Sequence, residues 1–391
     1  MIRDPLRWIV AEAAAWSARG LSRSLRPVDR AGPSVVERGG RRLVNYASND
    51  YLGLASDPRV IEAAVRAARR GWGAGASPLV AGWTLEHEGL ARELAAFEGT
   101  EAAVLFPTGY AANLGTIATL VGKPDVVYSD RLNHACLIDG SRLSGATIRI
   151  YPHGDADALA ALLAADSGGF RRSLIVTDGV FSMDGDLAPI GRLADLADEH
   201  GAMLLVDEAH GTGVLGPDGR GAASELGAAD RVTVRVGTLS KALASIGGFV
   251  AGSSRLIDWL TNAARPLIFS TAAPPASVAA ARAALGIVRD EPWRRDRVRG
   301  LAARLRDALG IGPIDDPSPA PIVPIPVGDA EAAVAAARLL ADRGFLVPAI
   351  RPPTVPEGTS RLRISLSAAH SDGDVDALCE AIRAIGLGAR G

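Results

Sequence analysis

The chain has 391 residues, 48% of them hydrophobic, and its 42 Lys and Arg against 44 Asp and Glu give a formal net charge of −2. That length allows two domains with sizeable cores, and the balanced charge excludes the footprint of a nucleic-acid or membrane-surface binder. Two cysteines, Cys136 and Cys379, exclude a disulfide framework and a multi-cysteine metal centre, and no apolar run approaches the roughly 18 residues of a membrane span, so a cytoplasmic protein without metal is expected.

The apolar stretch Trp8 to Ala18 contains Glu12 and is followed by Arg19. It reads as an amphipathic helix lying on the body of the protein, not as a signal peptide. Residues 1–45 form a leader, this helix and then a Gly- and Arg-rich hairpin ending in Leu43-Val-Asn-Tyr46. The polar turn Ser48-Asn-Asp-Tyr-Leu-Gly53 precedes a helix from Pro58 to Arg70, with alanines and Val60 and Val65 at core spacing. Gly71 to Gly82 reads as a loop with close backbone approach, and a helix from Glu86 to Phe97 follows.

From there strands and helices alternate. Strands Ala102–Phe106, Val126–Tyr128, Thr147–Tyr151, Leu174–Thr177 and Met203–Val206 are expected. Helices Ala111–Leu120, Ala135–Leu143, Ala156–Ala165 and Ile190–Glu199 are interleaved with them, and a last strand lies near Val232–Val236. This order argues a largely parallel sheet covered on both faces. Beyond 275 the character changes to long helices, a Pro-rich segment Pro313 to Pro326, a strand Arg361–Ser367 and a helix Asp374–Ile385. Three parts are expected: a leader over 1–45, a large domain over 46–275 and a smaller α+β domain over 276–391.

Ligands of parallel sheets bind beyond the carboxyl ends of the strands, and polar residues gather there. Lys241 stands among small and apolar residues in Val236-Gly-Thr-Leu-Ser-Lys-Ala-Leu-Ala. Burial disfavours an ammonium, and a free amine beside hydroxyls suits an imine with an aldehyde. Asp207 ends an apolar strand, where its carboxylate can pair with a protonated ring nitrogen, and His210 can reach the same ligand. The turn Thr108-Gly-Tyr110 opens a helix whose N–H groups suit a phosphate. His134 can stack on a ring. Arg361 and Arg363 share one face of a strand and can grip a carboxylate. Each alone also reads as an ordinary surface or turn residue. Together they describe pyridoxal 5′-phosphate carrying an amino acid.

Longer motifs sharpen this. Val206-Asp-Glu-Ala-His-Gly-Thr-Gly-Val-Leu-Gly216 and Gly237-Thr-Leu-Ser-Lys-Ala242, with Asp130-Arg-Leu-Asn-His134, Asp178-Gly-Val-Phe-Ser-Met-Asp-Gly185, Phe269-Ser-Thr-Ala-Ala-Pro-Pro275 and Arg351-Pro-Pro-Thr-Val-Pro356, resemble the α-oxoamine synthases over nearly the whole chain. The resemblance implies an α/β chain of the fold-type-I pyridoxal-phosphate transferase class, aspartate-aminotransferase-like. It implies Lys241 as the imine-forming lysine, Asp207 on the pyridine nitrogen, His134 stacked on the ring, and His210 with Ser182 on the phenolic oxygen. Gly109, Tyr110 and Thr238 would hold the phosphate. Ser270 and Thr271 would reach a neighbouring subunit's phosphate, hence a homodimer with sites at the interface. Asn49 and Arg363 would hold the amino-acid carboxylate, and Arg23 and Thr354 the acyl substrate.

The Arg351-Pro-Pro-Thr stretch is most similar to the family member that condenses L-alanine with a pimeloyl thioester in biotin synthesis, releasing CO2 and a thiol. Alternatives are the members using glycine with acetyl-CoA or serine with a long acyl chain, an aminotransferase, and a regulatory binder of the cofactor. The acyl carrier, coenzyme A or a carrier protein, is left open. Two departures stand out. Gly75-Ala-Ser-Pro-Leu-Val-Ala-Gly82 lacks the arginine that often follows its serine, and Tyr110 stands where phenylalanine also occurs.

Overall fold

The computed structural model describes residues 4–311 and 319–388. The expected Pro-rich segment therefore lies in part, at 313–318, outside the described residues. Two compact units divide the chain. One comprises Asn49–Gly300 with 319–321, and the other joins the described residues 4–48 to 301–311 and 322–388. This division differs from the expected boundaries. The leader belongs to the same unit as the C-terminal part, and the first unit extends past 275. Packing explains the second difference. Helix Pro275–Asp290 contacts helices Pro58–Ala68 and Leu85–Glu98 and buries Val278, Ala281, Ala284, Leu285 and Val288.

The first unit is built on seven strands, labelled here in chain order: β1 Ala102–Phe106, β2 Val126–Asp130, β3 Thr147–Tyr151, β4 Ser173–Asp178, β5 Met203–Asp207, β6 Val234–Thr238 and β7 Gly248–Gly252. Their order across the sheet is β1-β7-β6-β5-β4-β2-β3. Strands β2 to β6 pair in parallel, while β7 runs antiparallel to both β1 and β6. The link 239–247 is shorter than the dozen or more residues that a parallel crossover needs, so β7 must return antiparallel. The central strands are buried along their whole length, as in Val126–Asp130 and Val234–Thr238, because helices cover both faces. Each buried Val, Leu or Ile side chain contributes about 1.5–3 kcal/mol. Helix Ile190–His200 shows how sequence sets one cover. Ile190, Leu193, Ala194, Leu196 and Ala197 are buried, and Gly201 at φ 62° ends it in the left-handed conformation that L side chains resist.

The second unit holds the hairpin Val35–Arg38 and Arg41–Asn45, with Phe345–Leu346 added in parallel, and an antiparallel sheet of Ile322–Gly328, Ser360–Ser365 and Ala349–Ile350. Helix Trp8–Ala18 forms as expected but does not lie on the body of the protein. Every residue in it is exposed, Trp8 by 64% and Val10 by 72%. Its apolar side chains surround the axis, so it has no single stripe to dock. Val65 is a smaller correction, being exposed while Val60 is buried. Five positions turn a helix by about 140°, so the two cannot share a face.

Candidate active site

The sheet register brings the chemistry-bearing residues level. Asp178 pairs with Asp207 across β4 and β5, Asp207 with Val236 across β5 and β6, and Gly248 with both Thr238 and Phe106. Neighbouring strands lie about 4.8 Å apart, so the ends of β1, β4, β5 and β6 form one short polar edge.

Lys241 stands in the β6–β7 loop, closed by Ala244 N–H donating to Lys241 O and Ser245 N–H to Leu239 O. Ala244 adopts φ 52°, a left-handed conformation rare for a residue with a Cβ. Burial alone does not free the amine, because Lys241 is only half-buried. A specific partner holds it instead: Nζ lies 2.8 Å from His210 Nε2. His210 Nδ1 lies 2.6 Å from the Tyr51 hydroxyl, which donates to Asn49 Oδ1 at 3.2 Å. With the phenolic proton given to Asn49, Tyr51 accepts from Nδ1–H, and the Nε2 lone pair faces the lysine. Tyr51 is wholly buried. It stands inside the recognised Ser48–Gly53 motif, but nothing in the sequence tied it to His210, which is distant along the chain.

Asp207 is buried at the end of β5. Its Oδ1 accepts from Ala209 N–H at 2.9 Å and its Oδ2 from Asn113 Nδ2 at 2.7 Å. The same Asn113 amide reaches Gly109 O at 3.3 Å and Cys136 Sγ at 3.3 Å. Asn113 thus ties the Gly109 turn to the carboxylate, a link the sequence alone does not show. The available signal was its spacing, four residues after Gly109 on one helix face. Asp178, beside Asp207, accepts the His134 N–H at 2.6 Å, and burial with the Asp207 charge raises its pKa well above the carboxylate range. Burial and Asp207 push the Cys136 thiol up as well. Burial lowers the pKa of His134, favouring a neutral ring. Its Nδ1 sits 2.9 Å from Cys136 Sγ and Tyr110 meets it edge-on.

Glu208 anchors the loop after β5. Its carboxyl accepts from Ala222 and Ala223 N–H at 2.7 and 2.8 Å, and burial pushes its pKa up to about 7.

The turn Thr108–Tyr110 is set by a cap and by close backbone approach. Helix Gly109–Leu120 opens after Thr108, whose Oγ1 accepts from Ala111 N–H. A Cβ on Gly248 would stand 2.6 Å from the Gly109 backbone, so close backbone approach requires that glycine, and one on Gly109 would be tight at 3.2 Å from Thr238 Cβ. Thr238 Oγ1 donates to Gly247 O at 2.9 Å and accepts from Ser240 N–H at 3.2 Å. The Tyr110 hydroxyl bonds Asp139. Ser182 is half-buried in the loop after β4. Ser270 and Thr271 follow helix Arg265–Ile268 beside Phe269, which is 69% exposed.

Asn49 belongs to the first unit. Arg23 and Thr354 line one cavity of about 570 Å³ in the second unit, with Arg351. Arg351 Nη2 donates to Ser22 O at 2.6 Å and Arg23 Nη2 to Pro352 O at 3.2 Å, joining the two segments. Arg363 is buried in its strand, with Nη1 donating to Ser365 Oγ at 2.8 Å.

This donor set fits pyridoxal phosphate: an amine poised by an imidazole, an oriented buried carboxylate on the neighbouring strand, and a glycine turn at a helix start. Comparison with known proteins agrees. The aminotransferase class I and II family matches residues 41–382. The protein named 8-amino-7-oxononanoate synthase in Anaeromyxobacter dehalogenans is 53% identical over 387 residues, covering 98% of this chain and 97% of that one. Serine palmitoyltransferase from S. paucimobilis, solved with a bound PLP–myriocin adduct, superposes with TM-score 0.90 at 31% identity over 98% of this chain and 100% of its own. The 8-amino-7-oxononanoate synthase structure from Francisella tularensis gives 0.73 at 29% identity, over 88% and 96%. With most of its length matched and its relatives about half identical, the chain belongs to the aminotransferase class I and II family, in its fold-type-I, pyridoxal-phosphate-dependent form.

Proposed function

We propose that the chain condenses L-alanine with a pimeloyl thioester, giving 8-amino-7-oxononanoate, CO2 and the free thiol for biotin synthesis. The observation that carries this reading is the pairing of Lys241 with His210 beside an Asn113-oriented Asp207. It is joined to full-length relatives named for that product. Pyridoxal phosphate, when bound, supplies the electron sink that makes the α-proton of the amino acid acidic. The Lys241 amine is the base for that proton, and His210 with Tyr51 behind it accepts or returns a proton at Nε2. Asp207, oriented by Asn113 and Ala209, would pair with the ring nitrogen and favour its protonated form, while His134 would stack on the ring and His210 with Ser182 would bond the phenolic oxygen. The alanine α-carbon then forms a bond to the thioester carbonyl carbon as the thiolate leaves. The carboxyl group departs as CO2, and a proton returns to the α-carbon.

Asn49 and Arg363 are assigned to the alanine carboxylate, and Arg23 with Thr354 to the acyl tail. The assembly is a homodimer, with Ser270 and Thr271 directed to the partner's phosphate. Support comes from the exposed helix Trp8–Ala18 and from Phe269, apolar surface that a second copy would cover. No helix among the described residues is long and apolar enough to cross a membrane.

One experiment tests the reading. Purified chain is given alanine with a pimeloyl thioester, glycine with acetyl-CoA, or serine with a long-chain acyl thioester, and products are identified by mass. A dominant product from the second or third pair overturns the substrate assignment. The serine arm matters because the serine palmitoyltransferase fold superposes so fully.

A further inference from the structure

One half-buried histidine outside the polar strand edge is held on both sides of its ring. His153 Nδ1 lies 3.0 Å from Asp130 Oδ1, and Nε2 lies 2.8 Å from Asp186 Oδ2. The Phe181 ring meets it edge-on, with centroids 4.3 Å apart. Both nitrogens face carboxylate oxygens, so the ring carries both protons as an imidazolium. The two carboxylates raise its pKa to about 10. Two further titratable groups interact with Asp130: the Tyr151 hydroxyl on β3, held protonated by burial and by Asp130, and Asp178, raised by burial, by Asp207 and by Asp130.

The Asp130 carboxylate is itself fixed, and so is the backbone that carries Asp186. Asp130 accepts from Leu132 N–H and Gly154 N–H, each at 2.8 Å. The Asp186 carbonyl accepts from Phe181 N–H at 2.9 Å, Gly185 N–H donates to Phe181 O at 2.7 Å, and Val180 bridges Leu187. Asp130 begins the loop that ends in His134. Asp186 closes the tight loop that carries Ser182. The bond from His134 N–H to Asp178 already joins the bases of these loops, and His153 joins them a second time, farther out.

We propose that His153 is a positioning residue: it ties the loop presenting His134 to the loop presenting Ser182, and through them sets the affinity for pyridoxal phosphate. This rests on the reading that Ser182 faces the cofactor.

The test uses the full chain stripped of cofactor and retitrated with pyridoxal phosphate, read by visible absorbance, with thermal unfolding of the apo form alongside. His153→Gln should weaken binding about tenfold, as loss of charged hydrogen bonds implies. His153→Arg keeps a cation between the carboxylates and should bind within about threefold of the parent. Asp186→Asn should weaken binding about threefold. The double variant should bind no more weakly than His153→Gln alone, because both changes cut one tie. Apo melting temperatures should stay together. A raised histidine pKa means the tie holds at lower pH and is lost as pH rises through about 10. The parent should therefore lose affinity in that window and the arginine variant should keep it.

Unchanged affinity in His153→Gln overturns the proposal, as do additive effects in the double variant or affinity losses that merely track apo stability. Should His153→Gln fail to fold, Asp186→Asn decides, since that side chain is 44% exposed, and unchanged binding there overturns the tie. A parent that develops no visible band at all would strike at the Lys241 assignment instead.

Discussion

The strand edge of the first unit and the exposed ion pairs of the second use charge in opposite ways. At the strand edge of the first unit, carboxylates are buried and each has a fixed set of donors: Asp207 holds Asn113 and Ala209, Asp178 holds the His134 backbone, and Glu208 holds Ala222 and Ala223. In the second unit, ion pairs such as Arg304–Asp376 and Arg41–Asp342 have roughly half or more of both side chains exposed. A buried carboxylate with its donors removed has nowhere to turn, whereas an exposed one exchanges its partner for water. Function and stability should therefore respond sharply to changes at the strand edge and weakly to changes in the exposed pairs.

The largest effect is expected at Lys241. Lys241→Ala should abolish the visible cofactor band and reduce turnover by at least the 10²–10⁴ that a general base contributes, while near-parental thermal stability shows that the fold survives. A band persisting in the variant would refute the lysine's role. Next is Asn113→Ala. It removes the donor to Asp207 and leaves that carboxylate partly desolvated. Loss of a charged hydrogen bond is worth about 1.5–3 kcal/mol, so cofactor affinity should fall by roughly 10- to 150-fold. Equilibrium titration measures it, and a change under about threefold would mean that Ala209 N–H and the Cys136 thiol together suffice to orient Asp207.

These two residues also mark how far the sequence could be read. Lys241, Asp207, His134 and His210 were visible because strand-then-loop patterning places them at the carboxyl ends of parallel strands, and because their types match one ligand. The alternation of apolar runs gave the parallel strands β2 to β6. It did not reveal that β7 returns antiparallel, which follows from a short link rather than from any hydrophobic period. Asn113 and Tyr51 were hidden because their importance lies in contacts across long sequence separations. Helix Trp8–Ala18 misled for a physical reason: an apolar run announces burial but not what buries it. The unit boundary misled likewise, since helix Pro275–Asp290 follows a change of composition yet packs backward onto the first unit.

A subtler effect is expected at Glu208. Its folded pKa of about 7 lies above the ordinary value of 4.5, so the folded state binds a proton that the unfolded chain releases. Stability from this group is full below about pH 4.5 and declines as pH rises through about 7. Glu208→Gln should flatten that part of the stability profile. It should also lower stability overall, because the amide turns an N–H toward one of the two backbone donors and leaves it unsatisfied, at about 1–3 kcal/mol. Thermal unfolding from pH 4 to 8 separates the two, and a variant with the parental slope would assign the titration elsewhere.

The smallest effect should come from Arg304. Its guanidinium grips Asp376 with two bonds of 2.6 and 2.7 Å, a geometry that on paper matches any contact at the strand edge. The pairing holds the Asp376 carboxyl below its usual range, so the contribution would be lost as pH falls through that range. Both side chains remain about half in water, however, where screening and the entropy of ordering two long side chains offset the attraction. Arg304→Ala should move the melting temperature by no more than about 2 °C and leave turnover untouched. A larger shift would show that good hydrogen-bond geometry outweighs exposure here, and would weaken the contrast between the strand edge and the exposed pairs.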